Sequence, residues 1–278
     1  MSRTPILQVR NISRNFGGLI ALSDVSFDVP RGVVTGLIGP NGAGKSTLLS
    51  IMSGFERPVS GQILLEGKDI TAVPGYARVR LGITRSFQDV EIFPTLTVLE
   101  NVLLGFQNQY GERLWRLIFT PGAVIRQRRE FVARALGILK SVGIIDERPD
   151  ELAGNLSYGQ QKLLALARML PTNAKIFMLD EPGSGLPRPM VAHMGELLER
   201  IAHDYDKSVI LCDHNMDLVL RYSKHVLVLH HGKFLAQGTP DEIRRHPDVL
   251  QVYLAKTEPK AADTEVAVPV TTKGVANA

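Results

Sequence analysis

The chain has 278 residues, of which 44% are hydrophobic, enough for a sizeable core and a smaller second unit. The net charge of +4 comes from lysines and arginines spread along the chain, which favours a solvated surface and no nucleic-acid partner. A single cysteine, Cys212, excludes an internal disulfide and suits a reducing compartment. Its place in an apolar run predicts a buried strand thiol.

Neither a signal peptide nor a membrane span is predicted. The first residues lead directly into a strand pattern, without the apolar segment of a signal peptide. No apolar run reaches the roughly 20 residues that a spanning helix needs. We therefore expect any action at a membrane to require a partner protein. Residues 257–278 lack periodicity and are predicted to be a disordered tail.

The first predicted elements are two short antiparallel strands, Ile6–Val9 and Val25–Val29. A Gly-Gly turn lies between them and carries the aromatic Phe16. From the residues alone two interpretations of Phe16 stay balanced: an ordinary core side chain, or a ring that stacks on a purine.

A glycine-rich motif follows the apolar run Val33–Ile38 and precedes a helical pattern, so its context is strand, loop and helix. Its glycines let successive backbone N–H groups turn inward around a phosphate, and the helix N-terminus adds a positive dipole there. Lys45 is placed to reach the β- and γ-phosphates, and the hydroxyl of Ser46 to ligate Mg²⁺. The motif consists of Gly39, Pro40, Asn41, Gly42, Ala43, Gly44, Lys45, Ser46 and Thr47.

The middle of the chain is less regular. A strand is predicted at Ile83–Phe87, directly before Gln88, and a helix at Thr97–Leu104 with Thr97 as its cap. Residues 105–127 show no clear periodicity and contain the only tryptophan, Trp115. They are interpreted as a locally packed insert, with a docking surface as the alternative. An amphipathic helix is predicted at Arg128–Val142.

A second chemical site is predicted where the apolar run Lys175–Leu179 ends in two carboxylates. The run has the form of a central parallel strand. Asp180 would anchor Mg²⁺, and Glu181 would polarise a water towards the γ-phosphate as a general base. The alternative is that the two carboxylates merely lie at a solvated strand end. It is less favoured because the chain also contains a phosphate loop. Helices and strands then alternate to residue 230, which predicts an α/β fold with a mainly parallel sheet covered on both faces.

The run Leu156–Gln160, upstream of Asp180 and Glu181, resembles the signature of the ATP-binding cassette family, the ATPase subunits of ABC transporters. The resemblance covers residues 6–255. It implies a P-loop NTPase (RecA-like) core with an N-terminal antiparallel β subdomain and an inserted helical subdomain. The implied ATPase domain spans 1–256, with the core at about 1–88 and 160–256 and the helical subdomain at about 89–159.

The resemblance also implies roles for single residues. Phe16 matches the aromatic residue that stacks on adenine, and Gln88 matches the glutamine that touches Mg²⁺ and the attacking water. His214, which the residues alone would class as structural, matches the histidine that contacts the γ-phosphate. The helix N-terminus at Ser157, Gly159 and Gln160 matches the segment that caps the γ-phosphate held by a partner subunit.

The implied assembly is a head-to-tail dimer of two cassettes, identical or paralogous, that closes on two ATP molecules with Mg²⁺ and drives integral-membrane permease subunits. Subgroup features such as Tyr158 resemble importers of branched-chain amino acids, whose relatives take up urea, amides or aromatic acids. The implied location is the cytoplasmic face of the inner membrane, with a solute-binding protein as an indirect partner. The alternatives are a lipid or lipopolysaccharide exporter, a soluble ABC ATPase and a small-molecule kinase.

Two positions depart from the family pattern. Pro187 stands where the loop after Glu181 normally carries Asp or Asn, which puts signalling across the dimer in doubt. Asn215 replaces the common Asp after the histidine, a smaller change.

Overall fold

The computed structural model describes residues 4–86, 92–112, 114–144 and 149–254. Its strands are β1 Leu7–Phe16, β2 Leu19–Val29, β3 Val34–Ile38, β4 Ser60–Leu65, β5 Lys68–Asp69, β6 Ile83–Arg85, β7 Ile176–Asp180, β8 Ser208–Cys212, β9 His225–His230 and β10 Lys233–Gly238. Its helices are α1 Lys45–Ser53, α2 Gly75–Leu81, α3 Val98–Leu103, α4 Leu114–Phe119, α5 Pro121–Ser141, α6 Tyr158–Met169, α7 Arg188–Asp204, α8 Met216–Tyr222, α9 Pro240–Arg245 and α10 Pro247–Leu254. The predicted tail and Gln88 lie outside the described residues.

The larger sheet has the strand order β10-β9-β3-β8-β7-β6. Strands β9, β3, β8, β7 and β6 are parallel, and β10 adds an antiparallel edge. Every residue of β3, β7 and β8 is buried, as their apolar runs predicted for central parallel strands. The carboxyl ends of these strands share one edge, so the segments that follow them meet there.

Two apolar clusters lie on opposite faces of this sheet, and alternate strand residues point to each. The four-stranded antiparallel sheet, ordered β2-β1-β4-β5, packs with α1 on one face. Helices α3, α5, α6, α7 and α8 cover the other. The predicted α/β fold with its antiparallel β unit is confirmed. Cys212 is buried, as predicted, and burial together with the negative charge of Asp180 raises the pKa of its thiol.

Several element boundaries differ from the sequence prediction. The strands predicted at Ile6–Val9 and Val25–Val29 are longer, with β1 extending to Phe16 and β2 beginning at Leu19. Helix α5 begins at Pro121 instead of Arg128, and α4 lies inside the insert predicted to lack periodicity. The described side chains of α4 and of the first turn of α5 are mostly exposed, and α4 has only six residues, so apolar spacing over this stretch is too short to predict a helix. The edge strand β6 ends at Arg85, short of the predicted end at Phe87, which lies outside the described residues. The capping box predicted at Thr97 and Glu100 is present.

No helix in the described part of the chain combines the length and the hydrophobicity required to span a membrane.

A buried arginine fixes α1, the helix behind the phosphate loop. Arg78 is 1% exposed, and its guanidinium donates hydrogen bonds of 2.7 to 2.9 Å to five backbone carbonyls. Two of these carbonyls, of Ile51 and Met52, belong to the last turn of α1, where helical carbonyls lack partners within the helix. Burial lowers the pKa of Arg78 to about 10, with Asp69 opposing the shift, so the side chain stays charged at neutral pH.

Replacing Arg78 with methionine should lower the free energy of unfolding by about 3 kcal/mol, because buried carbonyls lose charge-assisted hydrogen bonds. Urea denaturation followed by circular dichroism measures the change. Arg80→Met, at an exposed position of the same helix, is the matched control and should shift the midpoint little. Equal effects of the two variants would contradict this role for Arg78.

Candidate functional site

A cleft of about 500 Å³ lies where the small sheet meets the carboxyl edge of the large one. It brings together the β1–β2 turn, the glycine-rich loop and the ends of β7 and β8. Its lining residues are Phe16, Leu19, Ile20, Ala21, Asn41, Gly42, Ala43, Gly44, Lys45, Ser46, Thr47, Glu181 and His214.

The glycine-rich loop is built around close backbone contacts. A Cβ on Gly39 would lie 2.3 Å from the carbonyl oxygen of Leu229, and one on Gly44 would lie 2.5 Å from that of Ala21. Gly44 is the N-cap of α1 and carries no side-chain cap, so the first N–H groups of α1 face the cleft. The ammonium of Lys45 donates to the carbonyls of Gly39 at 2.7 Å and Pro40 at 3.0 Å. This geometry suits an anion surrounded by N–H groups and a lysine.

The aromatic end of the cleft is formed by Phe16, the last residue of β1, which is 43% exposed. The guanidinium carbon of Arg14 lies 4.6 Å from the centre of its ring, a cation–π distance. The exposed side chains of Leu19 and Ile20 stand beside it in the same wall. An accessible ring with apolar neighbours suits a flat heteroaromatic group.

At the end of β7, Asp180 forms a buried ion pair with Arg85 of the neighbouring strand β6. Their side chains are separated by 2.9 Å and are each 7% exposed. Arg85 also donates to the hydroxyl of Ser50 on α1 at 2.9 Å. The pair therefore joins two strand ends to the helix of the glycine-rich loop. Sequence reasoning missed Arg85, although a charged residue in a short strand pattern is a usable signal.

Glu181 leaves the strand in a left-handed conformation, with a φ of 53°. Its N–H donates to the carbonyl of Cys212 at 2.7 Å. Its carboxylate oxygen Oε1 lies 2.8 Å from Nε2 of His214. The two side chains predicted as base and γ-phosphate ligand are thus paired at the cleft wall, and the turn in the backbone at residue 181 aims the carboxylate there.

Two further side chains, both missed from sequence, hold the loop after Glu181. The buried ammonium of Lys162, on α6, donates to the carbonyls of Glu181 at 3.1 Å, Pro182 at 3.3 Å and Ser184 at 2.6 Å. Asp213 accepts hydrogen bonds of 2.9 Å from the backbone N–H groups of Gly183 and Asn215. The loop is therefore fixed from both sides.

The two departures from the family pattern both sit at helix N-termini. Asn215 caps α8 by accepting from the N–H of Leu218 at 3.1 Å, a task that Asp performs equally well. Pro187 is the N-cap of α7, with a φ of −66° that proline adopts without strain.

The signature segment lies apart from this cleft. Ser157 is exposed and is the N-cap of α6, where it forms a capping box with Gln160. Gly159 is buried, and a Cβ there would lie 2.0 Å from the sulfur of Met190. None of the residues 157–160 is among those that line the cleft in the described part of the chain.

The predicted donors, a hydroxyl and a carboxylate, are oxygen ligands that suit Mg²⁺ bound together with phosphates. Ser46 is exposed in the first turn of α1 and lines the cleft, whereas Asp180 is buried, paired with Arg85 and not among the lining residues. Across residues 4–86, 92–112, 114–144 and 149–254 no group of three or more His, Cys, Asp and Glu side chains could hold a metal. Mg²⁺ ordinarily takes one or two protein ligands, and water and phosphate oxygens complete its shell.

A glycine-rich loop between a central parallel strand and a helix, with carboxylates at the end of a neighbouring strand, defines a P-loop nucleoside triphosphatase. Comparison with known proteins narrows the class. A family model described as "ABC transporter" matches residues 22–184, and one described as "Branched-chain amino acid ATP-binding cassette transporter" matches residues 235–254. The chain belongs to the ABC transporter family and is an ATPase that couples hydrolysis to transport.

Named relatives match over nearly the whole chain. The high-affinity branched-chain amino acid transport ATP-binding protein BraF of Pseudomonas aeruginosa is 38% identical over 92% of this chain and 100% of its own length. The probable branched-chain amino acid transport ATP-binding protein LivG of Archaeoglobus fulgidus is 38% identical over 94% of this chain and 98% of its own length. A nucleotide-free ATP-binding cassette from an ABC transporter superposes with a TM-score of 0.76, 33% identity and coverage of 90% and 99%. A second solved cassette, in its ADP conformation, superposes with a TM-score of 0.76 at 31% identity. The match covers 91% of this chain and 99% of that cassette.

Lys162→Met should lower the turnover of ATP at least tenfold with little change in KM. The substitution removes the donor for three carbonyls of the loop that orients Glu181, while the phosphate loop is untouched. Steady-state kinetics of phosphate release measures both constants. Lys162→Arg retains a charged donor and should recover most of the turnover. A raised KM with normal turnover, or no recovery with arginine, would contradict a positioning role.

Proposed function

We propose that the chain is the nucleotide-binding subunit of an importer and hydrolyses ATP with Mg²⁺ at a site shared between two subunits. One observation carries the proposal: the cleft unites the phosphate loop, Phe16, Glu181 and His214, whereas the signature segment stands apart from it. Each chain thus contributes the two complementary parts of a site but does not join them.

In the proposed site, Phe16 stacks on adenine, the N–H groups of residues 39–47 surround the phosphates, and Lys45 neutralises their charge. Ser46 and Asp180 would hold Mg²⁺, which would offset charge that develops on the phosphate oxygens. The predicted contact of Gln88 with Mg²⁺ and the attacking water stays a prediction, because Gln88 lies outside the described residues.

Hydrolysis needs a base at the γ-phosphate end of the cleft. Glu181 accepts the proton of the attacking water on a carboxylate oxygen, and the ring of His214, 2.8 Å away, orients that carboxylate and contacts the γ-phosphate. Water attacks phosphorus, the bond to the β-phosphate oxygen breaks, and ADP and phosphate leave. Ser157, Gly159 and Gln160 of the second subunit supply N–H and hydroxyl donors from the opposite side.

Import of branched-chain amino acids is the proposed task, with urea, amides and aromatic acids as alternative solutes. The C-terminal match at residues 235–254 and the names of the relatives support it.

The proposed partners are a second cassette in a head-to-tail dimer, integral-membrane permease subunits and, indirectly, a solute-binding protein. The proposed location is the cytoplasmic face of the inner membrane, with residues 89–159 as a helical subdomain. Loss of labelled leucine uptake in cells without the chain, with urea uptake unchanged, would select among the solutes.

Glu181→Gln should retain ATP binding and lower turnover by at least about 10², because the amide does not accept the proton of the water. It should also accumulate an ATP-bound dimer. Phosphate release, nucleotide binding and mass in solution measure the three effects. Turnover that stays at the wild-type level would remove Glu181 from the proposed role.

A mixing experiment tests the shared site. Lys45→Ala removes the phosphate-loop half, and Ser157→Arg blocks the signature half without affecting ATP binding to its own chain. Each variant alone should be inactive, whereas a mixture should regain activity, since a mixed dimer contains one complete site. A mixture that stays inactive, although Ser157→Arg binds ATP normally and the unmodified chain is active alone, would show that each chain builds its site by itself.

A further inference from the structure

Helix α4 presents an apolar face to solvent. Trp115, Ile118 and Phe119 are 51%, 72% and 76% exposed, and their i, i+3, i+4 spacing places them on one side of the helix. Ile125, in the second turn of α5 and separated from α4 by a short link at Thr120, is 54% exposed. The protein thus exposes two large aromatic and two branched apolar side chains within eleven residues, against the usual tendency to bury them.

The same stretch is strongly basic. Residues 113–129 contain five arginines and no aspartate or glutamate. Of these arginines, Arg126, Arg128 and Arg129 on α5 are exposed. The one acidic residue of α5, Glu130, lies 3.9 Å from Arg134 in a loose surface pair. Arg128 adds its charge to the hydrogen bonds from Thr97 that lower the pKa of Glu100. The chain as a whole nearly balances its charges, so this local excess of one sign is specific to the segment.

We propose that this exposed segment, with the apolar side chains Trp115, Ile118, Phe119 and Ile125 and the arginines Arg126, Arg128 and Arg129, docks on the surface of an anionic phospholipid bilayer. Aromatic and aliphatic side chains enter the boundary between headgroups and acyl chains, and arginines pair with lipid phosphates. An apolar protein groove would cover only the apolar side chains, whereas an anionic bilayer surface is complementary to both the apolar side chains and the arginines. The contact is with lipid and is independent of the nucleotide chemistry proposed above.

The only tryptophan of the chain lies on this face, which makes intrinsic fluorescence a local probe. The purified full chain is titrated with phosphatidylcholine vesicles with and without phosphatidylglycerol. With phosphatidylglycerol the emission of Trp115 should shift to the blue and be quenched by brominated acyl chains. Added salt should weaken the binding, since arginine–phosphate attraction is screened.

Variants separate the two parts of the surface. Arg128→Gln with Arg129→Gln should weaken binding to anionic vesicles about 25-fold, at about fivefold per arginine. Ile118→Ser with Phe119→Ser should abolish the blue shift. Tyr76→Ser with Arg80→Gln, exposed residues of α2, is the matched control and should leave binding unchanged. ATP turnover should be normal in every variant, because none of these residues lines the cleft.

Three results would overturn the proposal. The first is no fluorescence change with anionic vesicles, and the second is equal binding to neutral vesicles. The third is a shift that occurs only with a detergent-solubilised permease, which would make the face a protein-docking surface. Absence of vesicle binding with normal ATP turnover rejects the lipid contact alone, and absence of ATP turnover with normal vesicle binding rejects the catalytic proposal alone.

Discussion

The structure depends on one geometric constraint: the parallel strands β3, β7 and β8 lie side by side and end at the same edge. Full burial of these strands holds them in register, because a shift of one residue would exchange the side chains that point to the two apolar clusters. The glycine-rich loop, Glu181 and His214 each follow one of these strands. Their meeting in one cleft is therefore a consequence of core packing and needs no direct contact among the loops.

Buried cations connect this edge to the surrounding helices. Arg78 and Lys162 are both bound to backbone carbonyls, the first at the end of α1 and the second after β7. Carbonyls satisfy these charges without using carboxylates, so Glu181 remains directed at the cleft. Arg85 differs because it pairs with Asp180 itself, and this pair links the end of the edge strand to the predicted magnesium ligand.

The residues whose chemistry depends on local sequence were predictable. The phosphate loop, the start of α6 at Ser157 and the apolar strands carry their signals in consecutive residues, and the structure has them where the motifs predicted. Lys162, Arg85 and Asp213 were not found, because each bonds to at least one partner 19 to 95 residues away and single-sequence patterns do not encode such pairs. Helix α4 was missed for a different reason: it has only six residues, too few for apolar spacing to distinguish a helix from irregular structure.

The left-handed backbone at Glu181 has a consequence for evolution. In that conformation the backbone of a residue with a Cβ is destabilised by about 1–2 kcal/mol, whereas glycine adopts it freely. The proposed base thus occupies a position where the most stable residue would have no side chain to react. At residue 181, selection for stability favours glycine and selection for turnover favours glutamate. Screens for thermostable variants should therefore repeatedly recover inactive variants that are substituted at this position.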